Sequence, residues 1–271
     1  YRNSKQGDIM AHTDTPFLLS HHEKGVTTLT LNRGDILNPL SEEMLSALQE
    51  QISTIAADPN VRVVILAASG KAFCAGHDLK QMRANPSTTY YKALFNQCSK
   101  LMLSIQQMPQ PVIARVQGIA TAAGCQLVSM CDLAVASAEA RFAVSGVNYG
   151  LFCSTPSVGL TRNVPRKQAM EMLLTGEFID AQTACERGLV NRVVPPEQLD
   201  QEISSLVASI VAKPAVAITM GKQLFYRQLE MGISAAYQLA GETMACNMMD
   251  AAALEGVQAF IEKRSPDWKP S

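Results

Sequence analysis

The sequence predicts an α/β fold with parallel strands, followed by a helical C-terminal region. Three observations carry this reading. Strand-like and helix-like segments alternate from residue 26 to residue 136, the order that builds a parallel sheet through crossover helices. Residues 61–67 (VRVVILA) form a nearly continuous apolar run, as a parallel strand covered on both faces requires. After about Pro195 no strand pattern recurs.

The elements follow in order. Residues 26–31 (VTTLTL) are β-rich and closed by Asn32-Arg33-Gly34. Ser41 is placed to cap a helix whose first turn holds Glu42 and Glu43, where carboxylates suit the helix dipole. Met44, Leu45, Leu48, Ile52 and Ile55 then recur at helical spacing, and Asp58-Pro59-Asn60 ends the run. A strand at 61–67 leads to a polar helix over 89–107, a strand at 112–116, a helix within 118–130 and a strand at 133–136. Residues 197–212, 216–230 and 233–263 read as helices. The expected organisation is an added leader at 1–9 before a start at Met10, an α/β core over 10–196 and a helical oligomerisation region over 197–271.

Composition narrows the function classes. The 271 residues are 47% apolar and 17% charged, which excludes an intrinsically disordered chain. Lysine plus arginine number 23 against 24 acids, a net charge of −1. No basic excess points to nucleic acid or an anionic membrane surface. No apolar run approaches the ~20 residues of a spanning helix, so a soluble globular protein is expected. Seven cysteines, an odd number without CxxC spacing, argue for reduced thiols and against a disulfide framework or a zinc site. With no signal-peptide pattern at the start, a cytoplasmic location is expected.

Two segments carry the candidate chemistry. Residues 69–80 (SGKAFCAGHDLK) follow the buried strand, and residues 117–127 (QGIATAAGCQL) follow the next one. Small residues at such junctions let backbone N–H groups approach a ligand, and a helix N-terminus favours developing negative charge. Two converging N–H donors make an oxyanion hole. From small residues alone, close packing is the simpler explanation.

The residue order adds more. GKAFCAGHDLK, then QGIATAAGCQLVSMCDLAVAS, then the tail AFIEKR, together with Leu31-Asn32-Arg33 and Asn38-Pro39-Leu40, resemble the crotonase (enoyl-CoA hydratase/isomerase) superfamily over about residues 17–268. The resemblance implies a crotonase-like spiral of ββα units with a helical C-terminal region, assembled as a homotrimer or homohexamer. It implies a coenzyme A thioester as substrate, no separate cofactor or metal, and an enolate held by two backbone amides. By position those amides belong to His77 and Ala123. Lys71, Ala75, Gly76, Lys80, Gly124, Phe260 and Lys263 fall at substrate-binding positions, the last two open to contribution from a neighbouring subunit.

The chain departs from the family at its acids. The two hydratase glutamates fall on Gln126 and Gly146, and a third acidic position of the family falls on about Ser154. A glutamine amide can orient water but has no useful basicity, and glycine leaves only room. Each lost acid–base contact typically costs ~10²–10⁴ in rate, so weak hydration is expected. Thioester hydrolysis, decarboxylation, isomerisation and non-catalytic acyl-CoA binding stay open. No Ser/His/Asp order suggests a peptidase triad. His77 remains the candidate acid–base group, titrating between pH ~6 and 7, with Gln126 holding water or substrate. Asp78 is expected to tie its loop together, and Cys153 to be a buried inert thiol.

Overall fold

The computed structural model describes residues 15–268; the leader expected at 1–9 lies outside them. A hairpin that the sequence reading only half captured opens the chain: β1 (Leu18–Glu23) pairs antiparallel with β2 (Val26–Leu31). Helix α1 (Glu42–Ala56) begins where Ser41 Oγ accepts the Met44 N–H, and it buries the five apolar residues its spacing selects. It returns the chain to β3 (Val63–Ala68), parallel to β2.

Successive ββα turns then place one strand in each of two sheets. The first turn contributes β3 and β4 (Ala72–Cys74), followed by α2 (Leu79–Ala84) and α3 (Thr88–Gln107). The second contributes β5 (Val112–Val116), β6 (Ile119–Thr121) and α4 (Ala123–Met130). The third contributes β7 (Leu133–Ser137), β8 (Arg141–Ala143) and, after a 3₁₀ turn at Ser145–Tyr149, α5 (Ser154–Leu160). Then come α6 (Arg166–Thr175), β9 (Ile179–Asp180), α7 (Ala181–Glu186) and β10 (Arg192–Val194). The larger sheet is ordered β1-β2-β3-β5-β7-β10 and the smaller β4-β6-β8-β9. Pairing is parallel except for β1–β2 and β8–β9. This is the expected spiral. The helix expected within 118–130 is β6 followed by α4; a three-residue strand is too short to show alternation.

The helical region is not uniform. α8 (Leu199–Val211) buries Leu199, Ile203 and Val207 against Val63, Ile113 and Val135 of the larger sheet. α9 (Ala215–Leu229) is moored by Lys222, whose Nζ donates to the carbonyls of Ile105 and Gln110, each at 2.8 Å, and to Asp132 Oδ2 at 2.7 Å. Tyr226 Oη donates to Asp132 Oδ1 at 2.8 Å. The helix expected at 233–263 breaks into α10 (Ile233–Met248) and α11 (Ala251–Ile261), because Asp250 caps the second by accepting the Ala252 N–H. These two bury almost nothing: Ala259 alone is buried, while Ile233, Tyr237, Met244, Leu254 and Phe260 are exposed.

Among the described residues no single helix is long and apolar enough to cross a membrane. All seven cysteines are free thiols.

Candidate functional site

The two motif segments are pressed together backbone to backbone. A side chain at position 124 would run into the carbonyl of Cys74, and one at 118 into the carbonyl of Lys71. Gly76, at φ +95°, lies against the other segment: a Cβ there would stand 3.0 Å from Ala122 Cβ and 3.3 Å from the Ala123 nitrogen. Packing thus does need these small residues. It also brings Gly76, the residue before His77, against the start of α4.

Each amide is aimed by the carbonyl at the other end of its peptide unit. Carbonyl and N–H point in opposite directions across a trans peptide. Leu40 N–H donates to the Gly76 carbonyl at 2.8 Å, so the His77 N–H points away from Leu40. Gln126 N–H donates to the Ala122 carbonyl at 3.0 Å, so the Ala123 N–H points out of the start of α4. Ala122 reaches this arrangement at φ +50°, ψ −120°, a conformation that costs a non-glycine residue about 1–3 kcal/mol and collects at functional sites. Among the described residues, neither amide donates to another protein group.

Both residues line a cavity of about 180 Å³. Its inner end is Ala75, His77, Ala122 and Ala123; one wall is Leu79, Met82 and Phe95, and the other runs from Ser145 through Gly146 to Pro156. Among the described residues no carboxylate lines it. The hydroxyls are those of Tyr149, Ser154, Thr155 and Ser145, the last 2.9 Å from Thr121 Oγ1. Leu79, Tyr149, Leu151 and Phe152 among its lining residues are exposed.

His77 is half-buried, its ring edge-on to Phe95 with centroids 5.6 Å apart. Nδ1 lies 3.3 Å from the Leu40 carbonyl, which can only accept; the neutral ring therefore carries its proton on Nδ1. Nε2 is buried with no partner among the described residues. Burial pushes the ring below the ordinary histidine value, and the Leu40 hydrogen bond only partly opposes this. The ionisation expected between pH 6 and 7 is thereby moved lower, because the charged ring would lose its water.

Gly146 corrects a second expectation. The glycine leaves no open room: a Cβ at 146 would meet the Leu151 carbonyl oxygen and stand 2.8 Å from Cys153 Sγ. The Gly146 N–H itself donates to that sulfur at 3.2 Å. Burial pushes the Cys153 thiol up from its usual value, as an inert thiol requires. Asp78 caps α2 through the Lys80 and Gln81 amides, the structural part expected of it.

The remaining sequence candidates lie off the cavity lining. Gln126 is buried one turn along α4 from Ala123, with Oε1 lacking a partner among the described residues. Gly76 and Gly124 form the packed backing. Lys71 and Lys80 are exposed. Phe260 is 84% exposed on α11, and Lys263 just beyond it is exposed as well. Sequence reasoning missed the walls. Phe95 sits beside the buried stripe of α3 rather than in it, within the helix expected over 89–107.

The enoyl-CoA hydratase/isomerase family model matches residues 21–271. The chain belongs to that family. A solved enoyl-CoA hydratase from Mycobacterium smegmatis is 65% identical, with a TM-score of 0.93 over 94% of this chain and 99% of that one. The solved human enoyl-CoA hydratase domain-containing protein 3 is 42% identical, with a TM-score of 0.90 over 93% and 100%. The mitochondrial protein of the same name from Xenopus laevis is 46% identical over 95% of this chain and 87% of its own length.

The names of these relatives overturn the cytoplasmic expectation, since the Xenopus, rat and human proteins are all called mitochondrial. Free thiols report a reducing environment, not an address.

Proposed function

We propose that this enoyl-CoA hydratase/isomerase family member binds acyl-CoA thioesters and stabilises an enolate on the thioester oxygen through the His77 and Ala123 amides. Hydration is weak. The observation that carries the reading is the pair of free N–H groups, each oriented from its carbonyl end, facing a cavity without a carboxylate. Such preorganised donors are typically worth ~10²–10³ in rate apiece. The walls of Leu79, Met82 and Phe95 suit an uncharged, apolar acyl group. Lys71 and Lys80 supply point charges for CoA phosphates, and Phe260 and Lys263 meet the CoA of the same or a neighbouring subunit.

Gln126, one turn behind Ala123, holds a water: an unpartnered buried amide oxygen is costly, and a water that donates to it removes that cost. The His77 ring, neutral at pH 7, acts as a base. His77→Ala should lower turnover by ~10²-fold while CoA binding persists; unchanged turnover would leave His77 its amide alone. Calorimetry with acetyl-CoA against free CoA tests the central claim, and equal or absent binding of both would remove it.

A second reading, a different enolate reaction such as thioester hydrolysis, decarboxylation or isomerisation, is favoured over hydration by the filled space at Gly146. Non-catalytic acyl-CoA binding is the outcome if a panel of acyl-CoAs shows binding without turnover. The exposed apolar residues of α10 and α11 support a trimer or hexamer; a monomer at micromolar concentration by light scattering would refute it.

A further inference from the structure

The segment between β2 and α1 has no part in the chemistry described so far, yet it touches the donor loop at three points. The Ala75 N–H donates to the Leu37 carbonyl at 3.0 Å. The Leu40 N–H holds the Gly76 carbonyl at 2.8 Å, and the Leu40 carbonyl receives His77 Nδ1 at 3.3 Å. Every one of these bonds is made by a main-chain group of Leu37 or Leu40. The turn joining those two residues therefore decides where the His77 amide points.

That turn is strained and is held by one side chain. Leu37 and Asn38 are both left-handed, at φ +67° and +51°, a region asparagine tolerates better than most residues. Asn38 is fully buried. Its Oδ1 accepts the Arg33 N–H at 2.8 Å, and its Nδ2 donates to the carbonyls of Ser69 at 2.8 Å and Ala72 at 2.9 Å. Both amide protons are thus used. The bonds fasten the turn to the end of β3 and the start of β4, the strand that delivers residues 75–77. One amide triangulates the whole support of the first donor.

Resting on the enolate reading above, we infer that Asn38 is a positioning residue for the oxyanion hole, acting through Leu40 and the Gly76 carbonyl on the His77 N–H. Its effect falls on recognition of the thioester oxygen rather than on binding of the rest of the molecule.

The test compares acetyl-CoA with ethyl-CoA, the thioether that replaces the carbonyl by a methylene. Titration of the full chain gives the ratio of their dissociation constants. In wild type the thioester binds more tightly. Asn38→Gly keeps the left-handed turn without strain and deletes all three hydrogen bonds; Asn38→Asp keeps the acceptor and sets a carboxylate oxygen against two carbonyls. Either variant, if folded by circular dichroism, should lower the thioester-to-thioether preference by about tenfold, the loss of one oriented hydrogen bond, with ethyl-CoA affinity nearly unchanged. A merely structural role would weaken both ligands together.

A folded variant with the wild-type ratio overturns the inference. A wild-type ratio of one removes the enolate reading itself, a distinguishable failure. Should neither variant fold, hydrogen exchange on wild type decides the matter. Acetyl-CoA but not ethyl-CoA should slow exchange at residues 37–40 together with 75–78, and no response at 37–40 would overturn the assignment.

Discussion

On the inner side of the cavity, two peptide planes are fixed by hydrogen bonds to the carbonyls of Gly76 and Ala122, and their N–H groups stand free. On the Gly146 side, the space that a side chain at 146 would use is taken up by the Leu151 carbonyl and the Cys153 sulfur. The first side depends on backbone geometry, which side-chain substitution leaves largely intact. The second depends on how residues 151–153 pack against a position that carries no side chain. The two sides are therefore encoded by different parts of the peptide.

The largest expected effect comes from removing a donor. Ala123 is the first residue of α4, a position where proline is well accepted because its missing N–H makes no helical bond. Ala123→Pro should abolish the preference for thioester over thioether and lower any enolate-forming turnover by ~10²–10³-fold with the fold retained. If the folded variant still prefers the thioester, the two sides of the cavity are not built as described.

Restoring the acids should fail. Gln126→Glu with Gly146→Glu forces a side chain into filled space, and overpacking typically costs ~1–3 kcal/mol, or about 2–4 °C of Tm per kcal/mol for a chain of this size. We expect a lower melting temperature and no gain in crotonyl-CoA hydration. A gain with unchanged stability would show that the Leu151–Cys153 segment yields easily.

The smallest effect concerns pH. Burial depresses the folded-state pKa of His77. The ring then costs no stability above its unfolded value near ~6.5, and stability is lost as pH falls through that value, since the unfolded chain takes up the proton first. Thermal melts of wild type and His77→Leu between pH 7.5 and 5 should diverge on the acid side. Parallel curves would mean that the ring is not desolvated.

The parallel α/β core was legible in the sequence wherever strands were long enough to show a pattern, and the spiral came only with the family resemblance. The apolar run of β3 and the five-residue stripe of α1 fell where expected. The smaller sheet was hidden because β4, β6, β8 and β9 have two or three residues each. At the site, the packing of the two motif segments was legible, since their small residues mark where the backbones meet. The cavity walls were not. Leu79, Met82 and Phe95 come from two helices whose packing no local pattern reports, and the crowding at Gly146 arises from residues five and seven positions further on.

The mooring of α9 has a consequence for how the chain opens. Releasing that helix would strip Asp132 of both Lys222 and Tyr226 and leave a cation without the three acceptors that satisfy it. Breaking one partner from a buried ion pair commonly costs ~3–5 kcal/mol. Fraying from the C-terminus of an isolated protomer should therefore halt before α9. α10 and α11 form a low-cost opening unit, while α9 exchanges its amide protons only when the contacts of Lys222 and Tyr226 let go.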